Sequence, residues 1–160
     1  MASRIGIGFD AHPLKEGRPL VLGGVEVPFH KGLSGHSDGD VLVHAIMDAM
    51  LGAAGLGDKG VHFPSGDPRY EGISSLILLS TVSELTRGDG WRTVNIDATM
   101  LAQRPVLGPH IKNMKEKIGA ALSLPEGRVS IKATTTDHLG FVGREEGMAA
   151  YAVALLEETA

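Results

Sequence analysis

The run VLVHAIMDAMLGAAG, residues 41–55, constrains this chain more than any other stretch. Val41, Leu42, Val43, Ile46, Met47, Met50 and Leu51 leave a helix here apolar nearly all round, so it has to be buried. Yet Asp40, His44 and Asp48 recur at i, i+4 and i+8 and form one narrow polar stripe along it. A buried charge costs heavily unless it is paired or bound to a metal, so the stripe has to face something specific. At 160 residues the chain fits one domain burying roughly 70% of its unfolded surface. With only 4% aromatic residues and 22 glycines, its core must be built from Val, Ile, Leu, Ala and Met, joined by many tight turns.

The remaining periodicities supply partners for that helix. Residues 4–9 and RPLVLGGVEVPF read as strands, with Gly23-Gly24 as a two-residue hairpin turn. Ser37 or Asp38 is placed to cap the buried helix, which stops near Gly55 or Gly57. The loop VHFPSGDPRYEG leads to a second helix at about 73–87. In WRTVNIDATMLAQ, Val94, Ile96, Ala98 and Met100 alternate with polar residues, the period of a half-buried strand. Residues 110–123 form an amphipathic helix with Lys112, Lys115, Glu116 and Lys117 outward, and RVSIKATTT is another strand. GMAAYAVALLEE reads as the last strand, although its Ala and Glu content also permits a helix. No repeat, low-complexity tract or linker interrupts this order, so a single domain over 1–160 is expected, of α+β class, with helices packed on one side of a mixed sheet.

A net charge of −4 argues against nucleic-acid or membrane-surface partners, which need a basic face. No run approaches the roughly 20 apolar residues of a membrane span, and the N-terminus lacks the order of a signal peptide. The expectation is a cytoplasmic enzyme or binding protein. Cysteine is absent, so any metal must use His and carboxylate ligands.

RIGIGFDAH fits G-x-G-x-x-G/A through Gly6, Gly8 and Ala11, but it runs into Pro13-Leu14-Lys15 where a phosphate-binding helix would have to start, which sets the dinucleotide reading aside. Asp10 and His12, two apart, leave the same face of an extended segment. The bland reading is a strand-end turn beside a surface histidine. With His44 the pair completes an Asp, His, His set that leaves a fourth position open, as a catalytic zinc requires. Asp48, one turn beyond, is placed to fix the His44 tautomer, although an internal His–Asp hydrogen bond in the core explains the stripe too. GHSDGD offers His36, Ser37 and backbone N–H groups at a helix start to an anion, while simple capping accounts for the same residues. Thr134, Thr135 and Thr136 before Asp137 suit either plain strand propensity or a diphosphate bridged by Mg²⁺. His30, His62, His110 and His138 lack partners at ligand spacing and are expected at the surface. From spacing alone the reading stops at a His/Asp metal enzyme acting on phosphates.

Together IGIGFDAH, GHSDGDVLVHAIMDAMLGAAGLGD, FPSGDPRYEG and KATTTDHLGFVGREEG resemble the 2-C-methyl-D-erythritol 2,4-cyclodiphosphate synthases of the non-mevalonate isoprenoid pathway, in order over nearly the whole chain. The resemblance implies a homotrimer with active sites between subunits and a central cavity. It implies Zn²⁺ on Asp10, His12 and His44, and Mg²⁺ or Mn²⁺ at Asp137 on the substrate diphosphate. It gives His36 and Thr135 as transition-state stabilisers, with Ser37, Thr134 and Thr136 alongside. Asp58 and Gly60 would hold the ribose, and Lys59, Phe63, Pro64, Ser65, Gly66 and Asp67 would complete that side of the substrate site. The backbone of Ala102, Gln103, Arg104, Pro105, Val106, Leu107 and Gly108 would read the cytosine, and Phe141 and Arg144 would face a cavity that sometimes holds an isoprenoid diphosphate. Ser65 stands where the family commonly has aspartate, and Val106 where it commonly has lysine. The implied reaction is cyclisation of 4-diphosphocytidyl-2-C-methyl-D-erythritol 2-phosphate with release of CMP, by a phosphorus–oxygen lyase. The competing readings are a metal-dependent phosphohydrolase and a non-catalytic trimer that binds nucleotide or isoprenoid diphosphate.

Overall fold

Strand β1 extends from Ser3 to Glu16, well beyond the expected six residues, and its two faces differ sharply. Gly6 and Gly8 are buried, whereas Ile5, Ile7 and Phe9 between and beside them are exposed. The buried face lies against helix α1, Val41–Ala54. A Cβ on Gly6 would fall 1.9 Å from the Ala49 carbonyl oxygen, and one on Gly8 1.8 Å from that of Ala45. The glycines therefore serve close packing of a helix on a strand, with no phosphate turn involved.

β1 pairs antiparallel along most of its length with β7, Gly147–Glu158, a strand and not a helix. Its inward residues Ala150, Ala152 and Ala154 are small and buried, which continues the flat bed for α1. β7 also pairs antiparallel with β5, Trp91–Leu101, and β5 pairs in parallel with β6, Val129–Thr134. With β4, Lys31–Leu33, the mixed sheet has five strands in the order β4-β1-β7-β5-β6. In β5, Ile96, Ala98 and Met100 point inward, as their alternation requires.

On its other side α1 meets α3, Ser75–Gly88, through Leu78, Leu79 and Val82. Leu42, Ile46, Met47, Met50 and Leu51 of α1 are each no more than 1% exposed. Burial of such side chains stabilises a fold by roughly 1.5–3 kcal/mol apiece. α4, Ile111–Leu122, turns Met114 and Ile118 inward and its lysines outward. The loop after α1 contains the short helix α2, Lys59–His62, and a single turn at Pro68–Tyr70; a last short helix, α5, covers Gly140–Gly143. The computed structural model describes residues 1–159.

Gly23 and Gly24 turn the hairpin of β2, Leu20–Leu22, and β3, Val25–Val27, with φ of +58° and +72°. Both positive values identify the tight turn expected of a Gly-Gly pair. The cap of α1 is Asp40, not Ser37 or Asp38: its carboxylate accepts from Val43 N. The same carboxylate accepts from Gly23 N at 3.0 Å and Gly24 N at 2.7 Å, so one buried acid ties the hairpin to the helix start. The helix ends at Gly55, in the left-handed region, as expected. Two histidines expected at the surface, His62 and His110, are half-buried, and His62 Nε2 donates to the Leu56 carbonyl at 2.8 Å.

Candidate metal and substrate site

Extended geometry in β1 points Asp10 and His12 to the α1 side of the sheet, where one helical turn beyond Asp40 carries His44 to meet them. Asp10 Oδ2 lies 2.7 Å from His12 Nε2 and 3.0 Å from His44 Nδ1, and the two nitrogens are 3.2 Å apart. Tetrahedral ligands on a metal at about 2.1 Å stand roughly 3.4 Å from one another, within a few tenths of these separations. The outer nitrogen of His12, Nδ1, donates to the Ser34 carbonyl at 2.7 Å, which leaves a lone pair on Nε2 in the neutral ring. Two imidazole nitrogens and a carboxylate converging at this distance, with no other group between them, fit a divalent cation.

Burial works against charge at Asp10, but the adjoining His12 and His44 rings, with the Lys59 ammonium, outweigh it and hold the carboxyl well below the usual carboxylate range. Burial likewise pushes His12 down, and its bond to Asp10 outweighs that and raises it. Lys59 adds a cation: its Nζ is 2.9 Å from Asp48 Oδ2 and 3.5 Å from Asp10 Oδ1.

The polar stripe of α1 thus serves three different clients. Asp40 holds the hairpin, His44 joins Asp10 and His12, and Asp48 accepts from the backbone N and the Nζ of Lys59. The expectation that Asp48 orients His44 is corrected by this pairing. His44 Nε2 meets Ser75 Oγ at 2.9 Å and Ser37 Oγ at 3.1 Å instead. At the helix start Asp38 N donates to Ile73 O, Asp40 N to the Asp38 carboxylate and Val43 N to the Asp40 carboxylate, so these three amides are engaged within the fold. His36 and Ser37 still face the site with their side chains.

A cavity of about 360 Å³ opens beside the three candidate ligands, lined by His36, Ser37, Asp58, Lys59, Gly60, Phe63 and Ser65 among others. Asp58 caps α2 through Val61 N. Pro64 and Gly66 sit exposed on the adjoining loop. Asp67 is held by Arg69, while its carbonyl accepts from His36 Nε2 at 2.8 Å.

The second group of expected site residues is not in this cavity. Register aligns Asp10, Ala150, Met100 and Ala133 across β1, β7, β5 and β6. Thr134 to Asp137 therefore lie at the same end of the sheet, but three strand spacings away, roughly 14 Å. There they stand beside Ala102 to Gly108: Ala102 N donates to Thr134 O, and His138 N to Gln103 Oε1. Asp137 and His138 have φ of +50° and +65°, rare for residues with a Cβ, and Asp137 is exposed. Arg104 is paired with Glu145, Val106 is 80% exposed and Leu107 is buried. Phe141 is 42% exposed, and Arg144 pairs with Glu146 at 2.8 Å.

Spacing alone did not reveal Ser75, which is 31 residues from His44 and opens a different helix, or the approach of the Lys59 ammonium to Asp10. The only local signal for the first was the serine pair at 74–75, which a plain helix start explains equally well.

The model of the YgbB family matches residues 3–157. The chain belongs to the YgbB family. It is 61% identical over 153 residues to a 2-C-methyl-D-erythritol 2,4-cyclodiphosphate synthase from Syntrophobacter fumaroxidans, covering 96% of each chain. A solved synthase of the same name in a CDP-bound form superposes with a TM-score of 0.88 at 38% identity, covering 96% of this chain and all of the other. The bifunctional IspDF of Campylobacter jejuni gives a TM-score of 0.95 at 43% identity over 98% of this chain, which spans 42% of that longer protein. The mixed sheet with helices packed on it is thus the family fold. No helix among the described residues is long and apolar enough to cross a membrane.

Proposed function

We propose that the chain is a cytoplasmic cyclodiphosphate synthase, its whole length acting as one domain, which converts 4-diphosphocytidyl-2-C-methyl-D-erythritol 2-phosphate into 2-C-methyl-D-erythritol 2,4-cyclodiphosphate and CMP. The observation that carries this reading is the Asp10, His12 and His44 set at the mouth of a cavity furnished with His36, Ser37, Asp58 and Gly60, in a chain of this family. Asp10, His12 and His44 would hold Zn²⁺ and Asp137 Mg²⁺ or Mn²⁺; when bound, the ions neutralise and polarise diphosphate oxygens.

In the reaction an oxygen of the substrate's own 2-phosphate forms the new bond to the β-phosphorus. The bond from that phosphorus to the oxygen bridging to the α-phosphate breaks, and its electron pair leaves with CMP. The nucleophile is already anionic near neutral pH, so the protein's task is to position and to stabilise charge. Asp58 and the backbone at Gly60 orient the ribose, and Ala102 to Gly108 take the cytosine. The Thr135 hydroxyl donates to oxygens gaining charge. His36 spends Nε2–H on the Asp67 carbonyl, which orients the ring and leaves Nδ1 as the nitrogen for substrate oxygens. Ser65 lines the cavity with a shorter, uncharged group than aspartate would supply.

The separation between the cavity and the Thr134 to Asp137 cluster supports a site completed by two chains. So does the outer face of the sheet, where Ile5, Ile7, Phe9, Tyr151 and Val153 are between 41% and 74% exposed. We assign this face to the inside of a homotrimer. Phe141 and Arg144 would lie near its cavity, with an isoprenoid diphosphate as the ligand they suit.

³¹P NMR of the zinc-loaded protein with Mg²⁺ and the proposed substrate tests the reading. CMP should appear together with two coupled phosphorus signals of a cyclic diphosphate. Linear phosphate products would establish a hydrolase instead, and unchanged substrate a binding protein.

A further inference from the structure

His44 has two polar sides, and only one belongs to the candidate metal set. Nδ1 faces Asp10 and His12, while Nε2 points into the seam between α1 and α3, toward Ser75 Oγ at 2.9 Å. His44 is 6% exposed and Ser75 is fully buried. Ser75 Oγ in turn lies 2.5 Å from Asp38 Oδ1. Asp38 Oδ1 also accepts from Asp40 N, and its Oδ2 accepts from Ser75 N at 2.9 Å.

The proton positions follow from what each group can do. A carboxylate surrounded by two backbone N–H groups and a hydroxyl accepts from all of them. The single hydroxyl proton of Ser75 is therefore committed to Asp38, and toward His44 the serine offers only a lone pair. His44 must then carry a proton on Nε2, and in the neutral ring Nδ1 keeps its lone pair on the side of Asp10 and His12. Ser37 Oγ, 3.1 Å from the same nitrogen, has no other side-chain partner among the described residues and adapts to either arrangement.

We infer that Asp38 and Ser75 form a positioning relay that fixes the tautomer and ring orientation of His44, so that Nδ1 is ready for a cation before one binds. Neither residue lines the cavity. The contacts join three elements: Asp38 precedes α1, Ser75 opens α3, and Asp38 supplies the α3 start with the side-chain cap that Ser74 does not. Groups of this kind beyond the ligands are worth about 10- to 100-fold in metal affinity. The inference rests on the reading of His44 as a metal ligand.

The test uses the metal-free full-length protein with ¹⁵N-labelled histidine. Long-range ¹H–¹⁵N NMR should place the proton of neutral His44 on Nε2. A proton on Nδ1 overturns the relay with no variant needed. Ser75→Ala removes the hydroxyl while leaving the backbone contacts of Asp38 in place. It should give a mixed His44 tautomer and weaken Zn²⁺ binding, titrated against a chelator, by about 10- to 100-fold. Ser37→Ala should leave the tautomer unchanged. If Ser75→Ala changes neither the tautomer nor the affinity, or if Ser37→Ala alone changes them, the relay falls. A parent protein that binds no divalent ion would defeat the ligand reading, and the tautomer of His44 would still decide the relay.

Discussion

At the end of β6 a single hydroxyl, that of Thr135, separates two views of the threonine triplet. Thr134 Oγ1 and Thr136 Oγ1 already donate to the carbonyls of Thr135 and Leu139. Thr135 Oγ1 accepts only a long bond of 3.3 Å from Asp137 N, so its proton is available. Thr135→Ala should lower turnover by about 10²- to 10³-fold, as loss of a transition-state donor does, with zinc content unchanged. Steady-state kinetics with undiminished turnover would leave the triplet as ordinary strand sequence. Asp40 makes a different prediction. Burial, and then the charge of Asp38, push its carboxyl up to about 6, against the pull of the Gly24, Val43 and Gly23 N–H groups. An unfolded aspartate titrates near 3.9. Because the folded value is raised, this group's contribution to stability is complete below about pH 4 and is lost as pH rises through about 6. Relative to Asp40→Asn, the parent should lose about 2 kcal/mol between about pH 4 and pH 7. Denaturant unfolding at both pH values measures this, and a difference that stays flat rules it out.

At the scale of elements, the contact of β1 with α1 sets the geometry of the candidate metal set, because the strand supplies Asp10 and His12 and the helix His44. The glycines of β1 make that contact possible. Gly8→Ala would drive a Cβ to 1.8 Å from the Ala45 carbonyl, backbone that cannot rotate away. The cost should reach or exceed the roughly 1–3 kcal/mol of ordinary overpacking. Metal affinity should fall with it, since the helix has to lift His44 away from Asp10 and His12. Gly52 in the same helix is the opposite case: a Cβ there meets nothing within 4 Å. Gly52→Ala should stabilise the fold by up to about 1 kcal/mol through helix propensity. Thermal unfolding and bound-metal analysis of both variants check the pair, and equal effects would refute the close-packing account.

For the whole molecule the decisive feature is a sheet with helices on one side only. Ile5, Ile7 and Phe9 of β1 stand beside Tyr151 and Val153 of β7, with the Phe9 and Tyr151 rings 4.8 Å apart at their centroids. An apolar patch of this kind is uncommon on the surface of a free monomer. Ile7→Glu places a charge at its centre, outside the metal cavity. Sedimentation should show the proposed assembly shifted toward single chains, and activity should fall with it, as a site completed by two chains requires. A variant that stays assembled and active would remove this face from the interface.

Much of this was legible in the sequence for physical reasons that act locally. The apolar circumference of residues 41–55 determined a buried helix, alternation determined β5, and Gly23-Gly24 determined the hairpin turn. The two-residue spacing of Asp10 and His12 put both on one face, since strands repeat every second residue. What lay between elements was not legible. Asp38, Asp40 and Asp48 are all acids on one short stretch, and spacing offers Asp38 as a cap, Asp48 as a helper of His44 and Asp40 only as part of a polar stripe. Only packing decided that Asp40 would take the hairpin, Asp48 Lys59 and Asp38 Ser75. The same holds for Gly6 and Gly8: Pro13 set the phosphate turn aside, but nothing local named α1 as the element that packs on them. A local pattern fixes which way a side chain points, but its partner is set by whichever distant segment the core brings to that spot.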